Sequence, residues 1–154
     1  MKVSVRIAED KDKKDIFDWR NDKLSRQMFH TSDEVSWEDH SKWFKSSCEN
    51  PNRVLAMCFD SETGKNISIV RFDKIEDDHI LVSLNIAPSF RGQGLATTSL
   101  LASHKFYEET YQSKIFCIAE IKTFNIGSQK SFTRAGYKHV DTKGDIMIYE
   151  YHTP

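Results

Sequence analysis

The chain has 154 residues, 38% of them apolar, 12% aromatic and 29% charged, the profile of one globular domain with one core. A formal net charge of −1 excludes a mainly electrostatic nucleic-acid binder. Three cysteines (Cys48, Cys58 and Cys117) without a C-x-x-C pair exclude a disulfide framework or a zinc site and fit a reducing cytoplasm.

Val3, Val5 and Ile7 alternate with polar residues, which predicts a strand over residues 2–8. Glu9-Asp10 opens a helix carrying Ile16, Phe17 and Trp19, and residues 20–35 are polar and read as irregular. Ser36, with Asp39 three positions on, is an N-cap signature. The helix it starts runs to about residue 47, with Trp37, His40, Trp43 and Phe44 at helical spacing, and Asn50-Pro51 ends it. Three strands follow at 53–60, 66–74 and 79–86, separated by turns around Gly64 and Asp77-Asp78. Pro88 stops the third. A helix is predicted from about 92 to 110, a strand over 114–120, and a short helix over 125–134 that closes on Gly136. Two last strands, 137–141 and 145–151, flank Lys143-Gly144. The order β-α-α-β-β-β-α-β-α-β-β predicts a mixed α/β fold, one domain over residues 1–154. Met1–Arg6 lacks the apolar stretch of a signal peptide, and no run approaches the ~18 apolar residues of a membrane helix.

The most informative segment is Pro88-Ser89-Phe90-Arg91-Gly92-Gln93-Gly94-Leu95-Ala96. Two glycines at the start of a helix leave backbone N–H groups bare, where the helix also carries partial positive charge. That combination is a seat for phosphate or pyrophosphate. The spacing is not that of a Walker loop, since Gly94 is followed by Leu95-Ala96-Thr97, nor of a dinucleotide G-x-G-x-x-G, since position 97 is Thr.

Arg91-x-x-Gly94-x-Ala96 resembles the (Q/R)-x-x-G-x-(G/A) signature of the GCN5-related N-acetyltransferases, and Asn125-x-x-Ser128-x-x-x-Phe132-x-x-x-Gly136-Tyr137 is similar to their last-helix pattern. The element order is also theirs over essentially the whole chain. The resemblance implies a central mixed sheet in which strands 79–86 and 114–120 splay around acetyl-CoA. Leu84 and Ile86 then pair with the pantetheine arm. The amides of Arg91, Gly92, Gln93, Gly94, Leu95 and Ala96 hold the pyrophosphate, with the Thr97 hydroxyl as a further contact. Asn125, Ser128 and Phe132 line the cofactor from the last helix, and no metal is implied.

The reaction implied is acetyl transfer to a primary amine, which needs a base for the amine and help for the departing thiolate. Glu120 stands where the ribosomal-protein branch of the family places its base, and a water-mediated base is the alternative. Many relatives carry a last-helix tyrosine as general acid; this chain has Phe132 there, which cannot donate a proton. Trp19-Arg20-Asn21-Asp22 and the later His40-x-x-Trp43-Phe44 resemble the acetyltransferases of amino-sugar nucleotides, which makes Trp19, Arg20, Asn21, His40 and Trp43 the acceptor-site candidates. The acceptor expected is a nucleotide-linked amino sugar of surface-glycan synthesis, with no nucleic-acid or membrane partner and a homodimer left open. The alternatives are a ribosomal-protein-type N-terminal acetyltransferase, or a CoA-binding module without catalysis.

Overall fold

The computed structural model describes residues 1–30 and 33–154. Seven strands form one mixed sheet: β1 Val3–Ile7, β2 Arg53–Asp60, β3 Asn66–Lys74, β4 His79–Ile86, β5 Phe116–Lys122, β6 Lys138–Lys143 and β7 Ile146–His152. Their spatial order is β1-β2-β3-β4-β5-β7-β6, and every neighbouring pair is antiparallel except β4 with β5. Helices α1 (Lys13–Asn21), α2 (Lys23–Met28) and α3 (Trp37–Glu49) precede β2, α4 (Leu95–Tyr111) lies between β4 and β5, and α5 (Ile126–Arg134) follows β5.

The period-2 alternation of the strands divides the core between the two sheet faces. Leu55 and Met57 of β2 pack with Ile16 and Trp19 of α1 and Phe44 of α3. The intervening Ala56 and Cys58 pack on the opposite face with Leu100 and Tyr107 of α4, Phe132 of α5 and Tyr137. In the latter cluster the Tyr137 hydroxyl and His104 Nε2 lie 2.8 Å apart. Burial lowers the His104 pKa to about 4, so the ring is neutral there.

Three boundaries differ from the sequence reading. Residues 20–35, expected to be irregular, include the end of α1 and the whole of α2. The missing signal was apolar periodicity, for Lys23-Leu24-Ser25-Arg26-Gln27-Met28 has almost none. Asp22 supplies the local cue, its carboxylate accepting from the Ser25 amide at 3.2 Å, and long-range bonds to Asn85 and Arg91 do the rest. The helix expected from 92 begins at Leu95 instead, because Gly92 (φ 74°) and Gly94 (φ 73°) are both left-handed. Strand β5 spans Phe116–Lys122, so Glu120 sits inside it, opposite Ile148 of β7.

The feature that organises the site is the β4–β5 pair. Parallel pairing covers only His79, Ile80 and Leu81 against Phe116, Cys117 and Ile118. Beyond them Val82–Ile86 stay with β3 and Ala119–Lys122 stay with β7. The strands therefore part, leaving facing backbone edges without ladder partners among the described residues.

Candidate active site

Two features meet at this gap: a loop at the end of β4 and a cleft between the parted strands. The loop starts as a 3-10 turn at Pro88–Phe90. The Arg91 amide bonds back to the Pro88 carbonyl at 3.4 Å. Among the described residues, the amides of Gly92 to Thr97 donate to no loop carbonyl or side chain, and the first three belong to no helix. A Cβ built on Gly92 or Gly94 would meet nothing within 4 Å, so the space in front of the loop is open.

The side chain of Arg91 does not face that space. Its Nη2 donates to the Asp22 carboxylate at 2.7 Å and to Ser25 Oγ at 2.8 Å, while Ser25 Oγ donates to Asn85 Oδ1 at 2.9 Å. Arg91 thereby ties the loop to α2 and β4. Partial burial pushes the Asp22 pKa up, but the bonds from Arg91 and the Ser25 amide outweigh it and the net shift is down. Thr97 Oγ1 donates to the Ser131 carbonyl at 3.1 Å, so the hydroxyl proton expected to face a ligand is spent inside the protein.

The cleft has a volume of about 340 Å³ and is lined from β2, β3, β4, β5, α1, α3 and α5 and by Met28, Phe29, His30, Asp33 and Val35. It brings together seven of the residues singled out from sequence: Leu84, Glu120, Asn125, Ser128, Phe132, Arg20 and Trp43. Glu120 is 37% exposed, and its Oε1 lies 3.4 Å from His30 Nε2. Asn125 caps α5 through its side chain, which accepts from the Ser128 amide at 3.2 Å. Phe132 lines the cleft from below and packs edge-on against Tyr137, 4.9 Å between centroids. The Arg20 guanidinium lies over Trp43 at 5.0 Å, a cation–π contact.

Three acceptor candidates lie elsewhere. Trp19 is only 7% exposed and belongs to the core under α1. Asn21 clasps the chain at Val35, accepting from its amide and donating to its carbonyl, both at 2.8 Å. His40 is fully buried, with Nε2 2.9 Å from the Lys13 carbonyl. Burial lowers its pKa against the raising effect of that carbonyl, so the imidazole is neutral. It stacks behind Trp43 at 5.5 Å and acts as a backing for that ring. The physical reason is common to Trp19 and His40: helical spacing marks an apolar face, and the centre of such a face is core while its edge is cleft. Cys117 is fully buried and its thiol is pushed up to about 12 by burial, which excludes a thiolate nucleophile.

The sequence reading assigned no role to Arg71, His30 or Asn85. Arg71 was detectable as a charge in an apolar strand, Ile67-Ser68-Ile69-Val70-Arg71-Phe72. His30 and Asn85 carry no comparable signal. A broader depression of about 620 Å³ lies outside α3, lined by Lys13, Lys42 and Lys45 among others. It holds none of the predicted residues and does not reach the strand gap.

The model of the acetyltransferase (GNAT) domain matches residues 2–138. Among solved structures, the fold is similar to a domain from Methanocaldococcus jannaschii DSM 2661, with 23% identity, 99% of each chain covered and a TM-score of 0.81. It is similar to the spermidine N-acetyltransferase from Vibrio cholerae in complex with CoA and spermine, at 14% identity over 97% of this chain and 95% of that one, TM-score 0.84. It is also similar to the aminoglycoside acetyltransferase AAC(6')-Ib in complex with ribostamycin and coenzyme A, at 14% identity over 97% and 92%, TM-score 0.81. Among curated proteins the sequence has no match. The chain belongs to the GNAT acetyltransferase family and is an acetyl-CoA-dependent N-acetyltransferase.

Proposed function

We propose that this enzyme acetylates the amino group of a nucleotide-linked amino sugar, acting as one domain over residues 1–154 in the cytoplasm. The observation that carries the reading is the pairing of Arg20 with Trp43 in the same cleft as Glu120. An aromatic plate beside a guanidinium suits a sugar or base carrying phosphate, and the carboxylate stands where an amine can be deprotonated.

The residues present fit acetyl-CoA. The open glycine loop offers the amides of Gly92, Gln93, Gly94, Leu95, Ala96 and Thr97 to a pyrophosphate, at a helix start that favours negative charge. The unpaired edge of β4 offers the backbone of Leu84 and Ile86 to an arm built of two amides. Asn125, Ser128 and Phe132 bound the gap on the α5 side. When bound, acetyl-CoA supplies the activated acetyl thioester. Glu120 takes the proton from the acceptor ammonium, directly or through a water, and His30 at 3.4 Å is placed to accept it onward. Phe132 offers no proton to the departing thiolate, which leaves that role to backbone N–H groups or water. Trp43, backed by His40, and Arg20 orient the acceptor.

The second reading is N-terminal acetylation of a peptide, favoured by the placement of Glu120 alone. Thiol release from acetyl-CoA is the test, measured with UDP- and dTDP-linked 4-amino sugars and with a ribosomal-protein N-terminal peptide. Turnover on a sugar nucleotide supports the proposal. Turnover on the peptide alone overturns it, and retained CoA with no turnover on any amine overturns both readings.

A further inference from the structure

The cleft holds a charge arrangement that the catalytic reading does not use. Arg20 on α1 and Arg71 on β3 both line it. Arg20 Nη1 is buried without a hydrogen-bond partner, and among the described residues no carboxylate lies within ion-pair distance of Arg20. Arg71 Nε is 3.0 Å from Asp73 Oδ2 but is not aligned for a hydrogen bond. The same Asp73 accepts from Arg53 at 2.6 Å. Asp73 thus serves two guanidiniums, while among the described residues Arg20 meets an aromatic face and no carboxylate. Burial pulls the pKa of each cleft arginine down, and the charge of Arg71 pulls Arg20 down further. Both arginines are half-buried, and cations partly withdrawn from water with incomplete pairing cost stability that an incoming anion offsets.

We propose that Arg20 and Arg71 form an anion subsite, so that the acceptor is an amine carrying a phosphate or carboxylate several bonds from its amino group. The inference rests on the acetyltransferase reading of the cleft and extends it to the acceptor's charge. Its length comes from the register. Arg71 is opposite Ser83 on β4. Continuing the β4–β5 register from Leu81–Ile118 by two residues puts Glu120 level with Ser83 on β5. Arg71 and Glu120 therefore stand two strand spacings apart across the sheet, about 10 Å or more given the split. A diphosphate-linked amino sugar or a long ω-amino acid spans backbones that far apart. The other ionisable groups lining the cleft are Glu120, His30 and Asp33, so the cleft offers acid for an ammonium and guanidinium for an anion. Polycations such as the spermine and ribostamycin of the structural neighbours would meet two like charges at the arginine end.

The binding arm of the test uses CoA-saturated protein and the kinetic arm uses acetyl-CoA as donor. Calorimetry with inorganic pyrophosphate reads the anion subsite without turnover. Thiol-release kinetics then compare a UDP-linked 4-amino sugar, its methyl glycoside, a long ω-amino carboxylate and spermine. Pyrophosphate is expected to bind and to compete with the acceptor. Arg20→Gln is expected to weaken that binding at least tenfold and to raise the KM of anionic acceptors similarly, with the acetyl-CoA KM unchanged. Because Arg71 also touches Asp73, Arg71→Lys is the second variant, keeping charge and losing the fork, with thermal unfolding confirming its fold. Preference for the ω-amino carboxylate with the same arginine dependence supports the subsite and overturns the nucleotide-sugar reading. Turnover of the sugar nucleotide with no effect of Arg20→Gln overturns the subsite and leaves that reading standing. Failure of pyrophosphate to bind, or a kcat/KM for spermine or the methyl glycoside equal to that of the anionic acceptors, also overturns the subsite.

Discussion

Replacing Gly94 with Val separates the fold from the cofactor loop. At φ 73° a residue with a Cβ pays about 1–2 kcal/mol of backbone strain. No steric clash adds to it, because nothing lies within 4 Å of the position the Cβ would take. For a chain of this length that cost lowers Tm by about 2–8 °C. The side chain enters the space in front of the amides of Gly92 to Thr97. Shielding two of them from a pyrophosphate removes two charge-assisted hydrogen bonds of about 1.5–3 kcal/mol each. The expected weakening of acetyl-CoA is therefore on the order of 10²- to 10⁴-fold. Calorimetric titration with acetyl-CoA, beside thermal unfolding of the free protein, measures both effects. A cooperative melt within the expected range together with a Kd within twofold of the parent would refute the placement of the pyrophosphate on this loop.

Glu120→Gln is expected to lower kcat by about 10²-fold with Tm unchanged, since the side chain is partly exposed; an unaltered kcat moves the base elsewhere. Trp19→Ala is expected to cost about 3–5 kcal/mol in denaturant unfolding, whereas Trp43→Ala raises the acceptor KM about tenfold and leaves the acetyl-CoA KM alone. Equal effects of the two on stability would contradict the division of the aromatics into core and cleft. The buried Asp12 carboxylate accepts from Arg6 at 2.6 and 2.9 Å, from the Glu9 amide at 2.7 Å and from Asn66 at 2.9 Å. Burial pushes its pKa up, these bonds outweigh that, and the net shift is down. Its contribution to stability is therefore present above the ordinary carboxylate value of 3.8 and is lost as pH falls through the lowered value. Asp12→Ala is expected to cost about 2–4 kcal/mol at neutral pH and to flatten the acid limb of stability against pH; an unchanged acid limb would assign that limb to other carboxylates.

Reading by pattern succeeded where a residue's role is written in its own neighbourhood. The Ser36 cap of α3 is formed as the spacing required, with Oγ 3.1 Å from the Asp39 amide. The β2–β3 hairpin and the break at Asn50-Pro51 follow the local turn chemistry. Pattern failed at α2, whose helix depends on Asn85 and Arg91, which lie 60 and 69 positions from the residues they bond. At Arg91 the amide, expected to face the pyrophosphate, lies 3.4 Å from the Pro88 carbonyl, while the side chain pairs with Asp22.

The sequence alone determined the order of the strands along the chain, the glycine loop between β4 and α4 and the assignment to an acetyltransferase family, because each depends on spacing within a few residues. Only the tertiary structure decided which aromatics are core and which line the cleft, since Trp19 and Trp43 have the same local helical context and differ in what the sheet places opposite them. It also decided that Arg71 faces Arg20, because two charges fifty-one positions apart meet only through the register of β3 and the docking of α1.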